Sequence, residues 1–313
     1  MRIGIDAMGG DFAPETAVMG AYLASKELPA DITIVLFGNK QAINTILERE
    51  GYSGNSIDIV ETTEVIGMGE HPAKAFQQKQ DSSITVGFKH LYSGKIDAFA
   101  SAGNTGAMMV GTMYTIKAIP GIMRPCITGP VPKISGGKTS TLLDVGLNSD
   151  CKPDVLYQYG ILGNLFAKYY YGIDNPKVCL LNIGEEEEKG NLLTKAAHEL
   201  MKEGCHFQFN GNIESNNLYS DQADVIVCDG FTGNILLKQI EFLYTLSQKL
   251  NVSHSFFEHF NYENHGGTPV LGVNAPVIIG HGASNAKAIK NMILQTYKIT
   301  LSDLTEKIKQ AFQ

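Results

Sequence analysis

Short apolar runs alternate along the chain with stretches in which apolar residues recur every three or four positions. The runs at 2–6, 32–37, 57–60, 96–101, 125–131, 140–145, 177–183, 206–211 and 224–228 predict strands. The stretches at 14–27, 40–50, 82–93, 104–117, 153–171, 189–203, 231–250, 284–297 and 302–312 predict helices. Strands separated by full helices form βαβ units, so the pattern predicts an α/β fold: a three-layer α/β/α sandwich around a mostly parallel sheet. Asn39, Asp81 or Ser82, and Ser284 stand where N-caps belong, and Pro14 and Pro153 where a first-turn proline fits. The 313 residues read as one domain over 1–313, long enough to divide into two lobes.

Composition narrows the function classes. The 33 glycines suit the tight turns of βα repeats. A net charge of −7 argues against a general nucleic-acid binder, which needs a basic face, but leaves room for a local basic pocket. The five cysteines are odd in number and form no C-x-x-C pair, and Cys179 and Cys228 lie in apolar runs as core thiols. No disulfide framework or zinc ribbon is expected, and the reducing cytoplasm fits. The opening Met1–Asp6 lacks the apolar core of a secretory leader. No run approaches the roughly 18 apolar residues of a spanning helix, so membrane contact is expected to be peripheral.

Five glycine-rich turns follow predicted strands, at the edge where open α/β sheets bind ligands. They are Asp6–Asp11, Ser101–Gly106, Asp144–Asn148, Asn182–Glu185 and Asp229–Asn234. Glycine lets an anion approach the backbone, and a helix N-terminus behind it supplies N–H groups and a positive dipole end. Ser101–Gly106 is the strongest of the five, because it joins a strand to an apolar helix and adds the Asn104 amide and the Thr105 hydroxyl. His281, between a strand-like run and a helix start, reads as a donor or acid at the same edge. The catalytic candidates are therefore Asn104, Thr105 and His281. The candidates for substrate or phosphate binding are Asp6, Gly9, Gly10, Ser101, Gly103, Arg124, Asp144, Asn148, Asp229, Thr232, Gly233 and Asn234.

Of the basic residues Lys74, Lys79, Arg124, Lys138 and Lys238, Arg124 leads, since its guanidinium fork matches phosphate. The first strand carries no G-x-G-x-x-G dinucleotide fingerprint, and Gly136-Gly137-Lys138-Thr139 lacks the upstream spacing of a Walker A loop and reads as a hairpin turn. The acidic run Glu185–Glu188 reads as a solvated loop and helix start. No G-x-S-x-G elbow is present. That absence suits a reaction in which phosphate is itself the nucleophile and the protein supplies orientation and charge stabilisation.

Taken together, these turns resemble the bacterial phosphate acyltransferases of phospholipid synthesis. The matching stretches run in the family's order: Gly4–Asp11, Asp81-Ser82-Ser83, Ser101–Gly106, Leu143–Gly146 with Asn148, Leu181–Gly184, Gly211–Glu214, Asp229–Asn234 and His281–Ala286. The resemblance implies transfer of a long-chain acyl group from acyl-ACP (acyl carrier protein) to inorganic phosphate, with no metal or cofactor. It also implies a homodimer, an α/β/α fold similar to isopropylmalate dehydrogenases and phosphotransacetylases, and a membrane-bound glycerol-3-phosphate acyltransferase as acceptor of the product. The chain departs from many relatives in having Gln77 and Gln78 where they carry basic residues, and a short segment at 242–263. In that segment Phe242, Leu243, Leu246, Leu250, Phe256, Phe257 and Phe260 suggest an apolar face for a dimer or a membrane. Two rival readings are a decarboxylating dehydrogenase of similar fold and a non-catalytic module that binds acyl carrier protein. The first needs a nucleotide site and metal-binding aspartates, of which the sequence has no convincing set.

Overall fold

The computed structural model describes residues 1–136 and 139–313. Gly137 and Lys138, and with them the turn expected at 136–139, lie outside the described residues. In chain order the elements are β1 (Arg2–Asp6), α1 (Glu15–Ser25), β2 (Thr33–Gly38), α2 (Lys40–Arg49), β3 (Ile57–Glu61), α3 (Pro72–Gln78), α4 (Ser83–Tyr92), β4 (Ala98–Ser101), α5 (Thr105–Gly111) with a π-helical turn at Thr112–Ile116, β5 (Cys126–Pro132), β6 (Thr139–Leu143), α6 (Pro153–Tyr169), β7 (Lys177–Leu181), α7 (Leu192–Glu203), β8 (Gln208–Ile213), β9 (Val225–Val227), α8 (Gly230–Lys249), α9 (Ser255–Glu258), β10 (Gly267–Leu271), β11 (Val277–Gly280), α10 (Ala286–Leu301) and α11 (Leu304–Ala311). The chain divides into two compact units, Met1–Ala118 with Tyr262–Leu301, and Ile119–Asn261 with Ser302–Gln313.

The first unit orders its strands β3-β2-β1-β4-β11-β10. All these pairs are parallel except β10 with β11. Helix α4 lies so close to one face that a side chain at Gly87 would collide with Phe99, which also meets Phe88 edge-on at 5.2 Å. Strand residues alternate between faces, so Ile278 and Gly280 look the other way from Phe99. There α10 brings Met292 against Gly280, and α1 packs on α10 through Gly20 and Ile289.

The second unit orders its strands β5-β6-β9-β7-β8, antiparallel only between β5 and β6. On one face α6 sets Gly163 against Val225 and Leu143. On the other, Leu142, Cys179, Ile226, Ile240 and Phe260 form a buried core that Leu243, Phe256 and Phe257 pack against. Leu243, Phe256, Phe257 and Phe260 of the expected apolar face therefore turn inward. Phe231, Ile235, Phe242, Leu246 and Leu250 stay exposed, and their spacing of four and seven residues puts them in one stripe along α8.

Local chemistry explains where element boundaries differ from expectation. Strand β10 escapes the sequence pattern because Pro269 interrupts it and withholds a donor. The expected 104–117 helix is α-helical to Gly111, continues as a π-turn, and ends at Lys117 with φ 67°. Asn285, not Ser284, caps α10: its Oδ1 accepts the Ala288 N–H at 2.9 Å, while Ser284 Oγ donates to the His281 carbonyl at 2.5 Å. Asn39 and Ser82 cap α2 and α4 as expected, through Ala42 and Thr85. Among the described residues no helix is long and apolar enough to cross a membrane.

Candidate functional site

In the first unit the ends of β1, β4 and β11 bring the predicted turns together around one carboxyl group. Asp6 is buried at the end of β1. Its Oδ1 accepts the Met8 N–H at 3.0 Å and its Oδ2 the Ser101 hydroxyl at 2.6 Å. Ser101 Oγ in turn accepts the Gly103 N–H at 2.9 Å. Burial raises the Asp6 pKa above the ordinary aspartate value, and hydrogen bonds from Ser101, Ser83, Met8 and Gly9 oppose it. A side chain at Gly9 would collide with Asp6 Oδ2 and come within 2.7 Å of the Gly103 N–H nitrogen. Glycine is thus required at position 9 for close approach of two turns, and at Gly10 for a φ of 106°. The Asp11 N–H donates to the Gly282 carbonyl at 2.8 Å, which joins the His281 turn to the group.

Asn104, expected at the reacting centre, is buried and holds structure. Its Oδ1 caps α5 through the Ala107 N–H at 3.0 Å. Its Nδ2 donates to the carbonyls of Gly67, Met68 and Glu70 at 3.0, 3.2 and 3.1 Å. These carbonyls form the tip of a strap, residues 63–82, closed at its base by Thr63 on Asp81 Oδ2 (2.9 and 2.6 Å). Lys79 fastens the strap internally, donating to Glu70 at 2.5 Å and to the Val65 carbonyl at 2.6 Å. Those two bonds commit Lys79 to the strap. Thr105 is exposed at the first position of α5, where the opening N–H groups of a helix have no intrahelical acceptor. His281 is exposed, accepts the Ala283 N–H at Nδ1 (3.2 Å) and stacks near Tyr262 at 5.0 Å between ring centroids.

The second unit repeats the device with Asp144, fully buried at the end of β6. Its Oδ1 accepts the N–H groups of Ile127 and Leu147 at 3.1 and 3.3 Å. Its Oδ2 accepts Leu147 N–H, Asn148 N–H and Asn148 Nδ2 at 3.1, 2.6 and 3.1 Å. The Asn148 carbonyl receives the Gly230 N–H at 2.8 Å and so holds the start of α8. Asp229 caps α8, accepting the Thr232 N–H and hydroxyl at 2.9 Å each. A side chain at Gly233 would collide with the Asp144 carbonyl, and Asn234 lies exposed beside Gly146. Arg124, exposed just before β5, points Nη1 at Asn148 Oδ1, 3.5 Å away. Cys126 and Cys228 are buried with thiols pushed well up by desolvation, and burial pushes Cys151 up to about 11.

The turn after β7 does something else. Asn182 Nδ2 closes its loop on the Lys189 carbonyl at 3.2 Å. Glu185–Glu188 stay exposed on that loop, Glu187 pairing with Lys202 at 2.7 Å, the solvated reading expected of them. Lys238 is exposed and pairs with Glu241 at 2.7 Å, and Lys74 is exposed on α3. Sequence reasoning missed Ser83, the second hydroxyl on Asp6, and the 67–70 carbonyls. Backbone acceptors leave no mark in a sequence, although Asp81-Ser82-Ser83 belongs to the motif set.

Each of the two α/β units thus has a buried aspartate ordering glycine turns at its strand ends. The fold matches solved phosphotransacetylases: that of Streptococcus pyogenes with a TM-score of 0.67 at 17% identity, over 98% of this chain and 94% of that one. EutD phosphotransacetylase from Staphylococcus aureus gives 0.65 at 16% identity, over 96% and 94%. At such identities the likeness is one of fold. A family model described as fatty acid synthesis protein matches residues 1–307. The phosphate acyltransferase of Thermoanaerobacterium thermosaccharolyticum is 41% identical over 100% of this chain and 97% of its own length. That of Clostridioides difficile is 38% identical over 99% and 96%. The chain belongs to the bacterial phosphate acyltransferase family and is an acyltransferase.

Proposed function

We propose that the protein transfers a long-chain fatty acyl group from the thioester of acyl-ACP to inorganic phosphate, releasing acyl-phosphate and free carrier protein. A phosphate oxygen forms the bond to the carbonyl carbon, the carbon–sulfur bond breaks, and the sulfur leaves with a proton from solvent or phosphate. Phosphate needs no enzyme nucleophile for this, only orientation and relief of charge. In the first unit, the first N–H groups of α5, with the Thr105 hydroxyl and the His281 ring at the same strand ends, are the donors offered to negative substrate oxygen. Asp6, Gly9, Gly10, Ser101, Gly103 and Asn104 hold those donors in place. Gly230, Thr232, Gly233 and Asn234 shape the start of α8 beside Arg124.

One observation carries the phosphate assignment. The chain has three arginines. Arg2 pairs with Asp58 at 2.8 Å and Arg49 pairs with Glu15 and Glu50. Arg124 alone has no carboxylate partner among the described residues, and it stands next to the turn that opens a 20-residue helix. An unpaired guanidinium near a helix N-terminus suits a doubly charged oxyanion. Mixing the protein with palmitoyl-ACP and phosphate is expected to release carrier thiol in proportion to phosphate. Arg124→Ala is expected to lower kcat/KM for phosphate by about 30- to 100-fold, the loss of a charged hydrogen-bonded contact. No phosphate-dependent thiol release by the wild type would end this reading.

The product would be consumed by a membrane-bound glycerol-3-phosphate acyltransferase, which places the protein in the cytoplasm with peripheral access to the membrane. We assign the exposed stripe on α8 to a second copy of the chain, since five large apolar side chains in one row favour a covered face. Leu246→Glu is expected to halve the sedimenting mass. A wild type that sediments as a monomer at micromolar concentration would remove the homodimer.

A further inference from the structure

We infer that Asn148 is a positioning residue for Arg124, aiming the guanidinium at the phosphate; this rests on the reading of Arg124 given above. Four observations converge on Asn148. Its Nδ2 is committed twice, to Asp144 Oδ2 at 3.1 Å and to the Pro125 carbonyl at 2.8 Å. Both donors of the side-chain amide are thereby fixed, so Oδ1 can point only away from them, and it faces Arg124 Nη1 at 3.5 Å. The Pro125 carbonyl is the backbone immediately after Arg124, so one side chain holds the arginine by its main chain and by its guanidinium. Finally, the Asn148 carbonyl accepts the Gly230 N–H at 2.8 Å, which sets the distance between that guanidinium and the first turn of α8.

The lengths matter. The bonds that anchor Asn148 are 2.6–3.1 Å, whereas the contact to Arg124 lies at the outer limit of hydrogen bonding. Asn148 is therefore rigid and its hold on Arg124 is weak. A guanidinium has five N–H donors, and one is directed at Asn148 while the others stay available to a ligand. Asp144 fixes the orientation: with both its oxygens accepting, it receives the amide nitrogen and excludes the flipped amide. Burying Asn148 (9% exposed) beside an exposed Arg124 separates the part that must not move from the part that must touch phosphate.

The test is a double-mutant cycle on kcat/KM for phosphate, with KM for palmitoyl-ACP as control. Asn148→Ser keeps a hydroxyl for Asp144 and withdraws the oxygen from Arg124. It is expected to lower kcat/KM for phosphate about tenfold and to leave KM for palmitoyl-ACP within about twofold. In an Arg124→Ala background the same change is expected to add less than about twofold, because it acts through the missing side chain. Equal losses in both backgrounds, or a parallel rise in both KM values, would reduce Asn148 to a structural residue and overturn the inference. If Asn148→Ser fails to fold, Arg124→Lys against wild type at matched melting temperature supplies the second comparison. Lysine has no fork for Asn148 to orient, so a loss smaller than about threefold would equally overturn it. Absence of phosphate-dependent transfer in the wild type is a separate result, which removes the function and not the coupling.

Discussion

Asp144→Asn should lower the stability of the second unit by about 3–5 kcal/mol, because several buried N–H donors lose their acceptor together. The Asp144 side chain accepts from Ile127, Leu147 and Asn148 with both oxygens and has no exposure to water. An asparagine keeps the shape but turns one acceptor into a donor facing N–H groups. Each buried donor left without an acceptor costs about 1–3 kcal/mol. Urea unfolding followed by tyrosine fluorescence should show a midpoint lower by about 1 M or more. A shift below about 0.3 M would mean that the donors find other acceptors, and that the carboxylate is not what holds the 144–148 turn.

Asn104→Ala is expected to lower kcat/KM by about 100-fold while the amides of the strap tip exchange about 10- to 100-fold faster. Alanine loses the α5 cap, worth about 1 kcal/mol, and releases the carbonyls of Gly67, Met68 and Glu70 together. Asn104→Asp divides the two roles, since a carboxylate still caps Ala107 but repels the three carbonyls. It should match Asn104→Ala in the exchange of residues 64–72 and retain the α5 cap. Unchanged exchange over 64–72 in Asn104→Asp would return Asn104 to the reacting centre, where the sequence alone suggests it belongs.

The contrast between Asn104 and Arg124 marks how far the sequence carried the site. A Gly-Asn-Thr-Gly turn after a strand reads in the sequence as a backbone anion site, and the Asp6 and Asp144 turns each stand at a strand end of their own unit. What one residue does within that turn depends on which acceptors reach it from elsewhere, and those of Asn104 are carbonyls more than thirty positions away. Lys79 is the same lesson in charge: its partner Glu70 is nine residues off, across a strap with no repeating pattern. Arg124 stands out in the sequence because it opens a strand and offers a guanidinium fork, and the structure places it exposed beside Asn148. At the level of fold, period and punctuation located β1 to β9, most clearly where the strand is a continuous apolar run, as in β2, β7 and β9. The proline in β10 and the brevity of α3 and α9 hid those elements.

The thiols have a practical consequence. Cys126, Cys179 and Cys228 are enclosed, and Cys151 is half-enclosed with a proton that leaves only near pH 11, so alkylating dyes at neutral pH find little thiolate there. Cys205, on the surface just past α7, is the one cysteine open to solvent. A maleimide fluorophore should therefore label the natural chain at a single address, without engineering, and give carrier-protein docking an optical readout that leaves Asp144, Asn148 and Arg124 untouched.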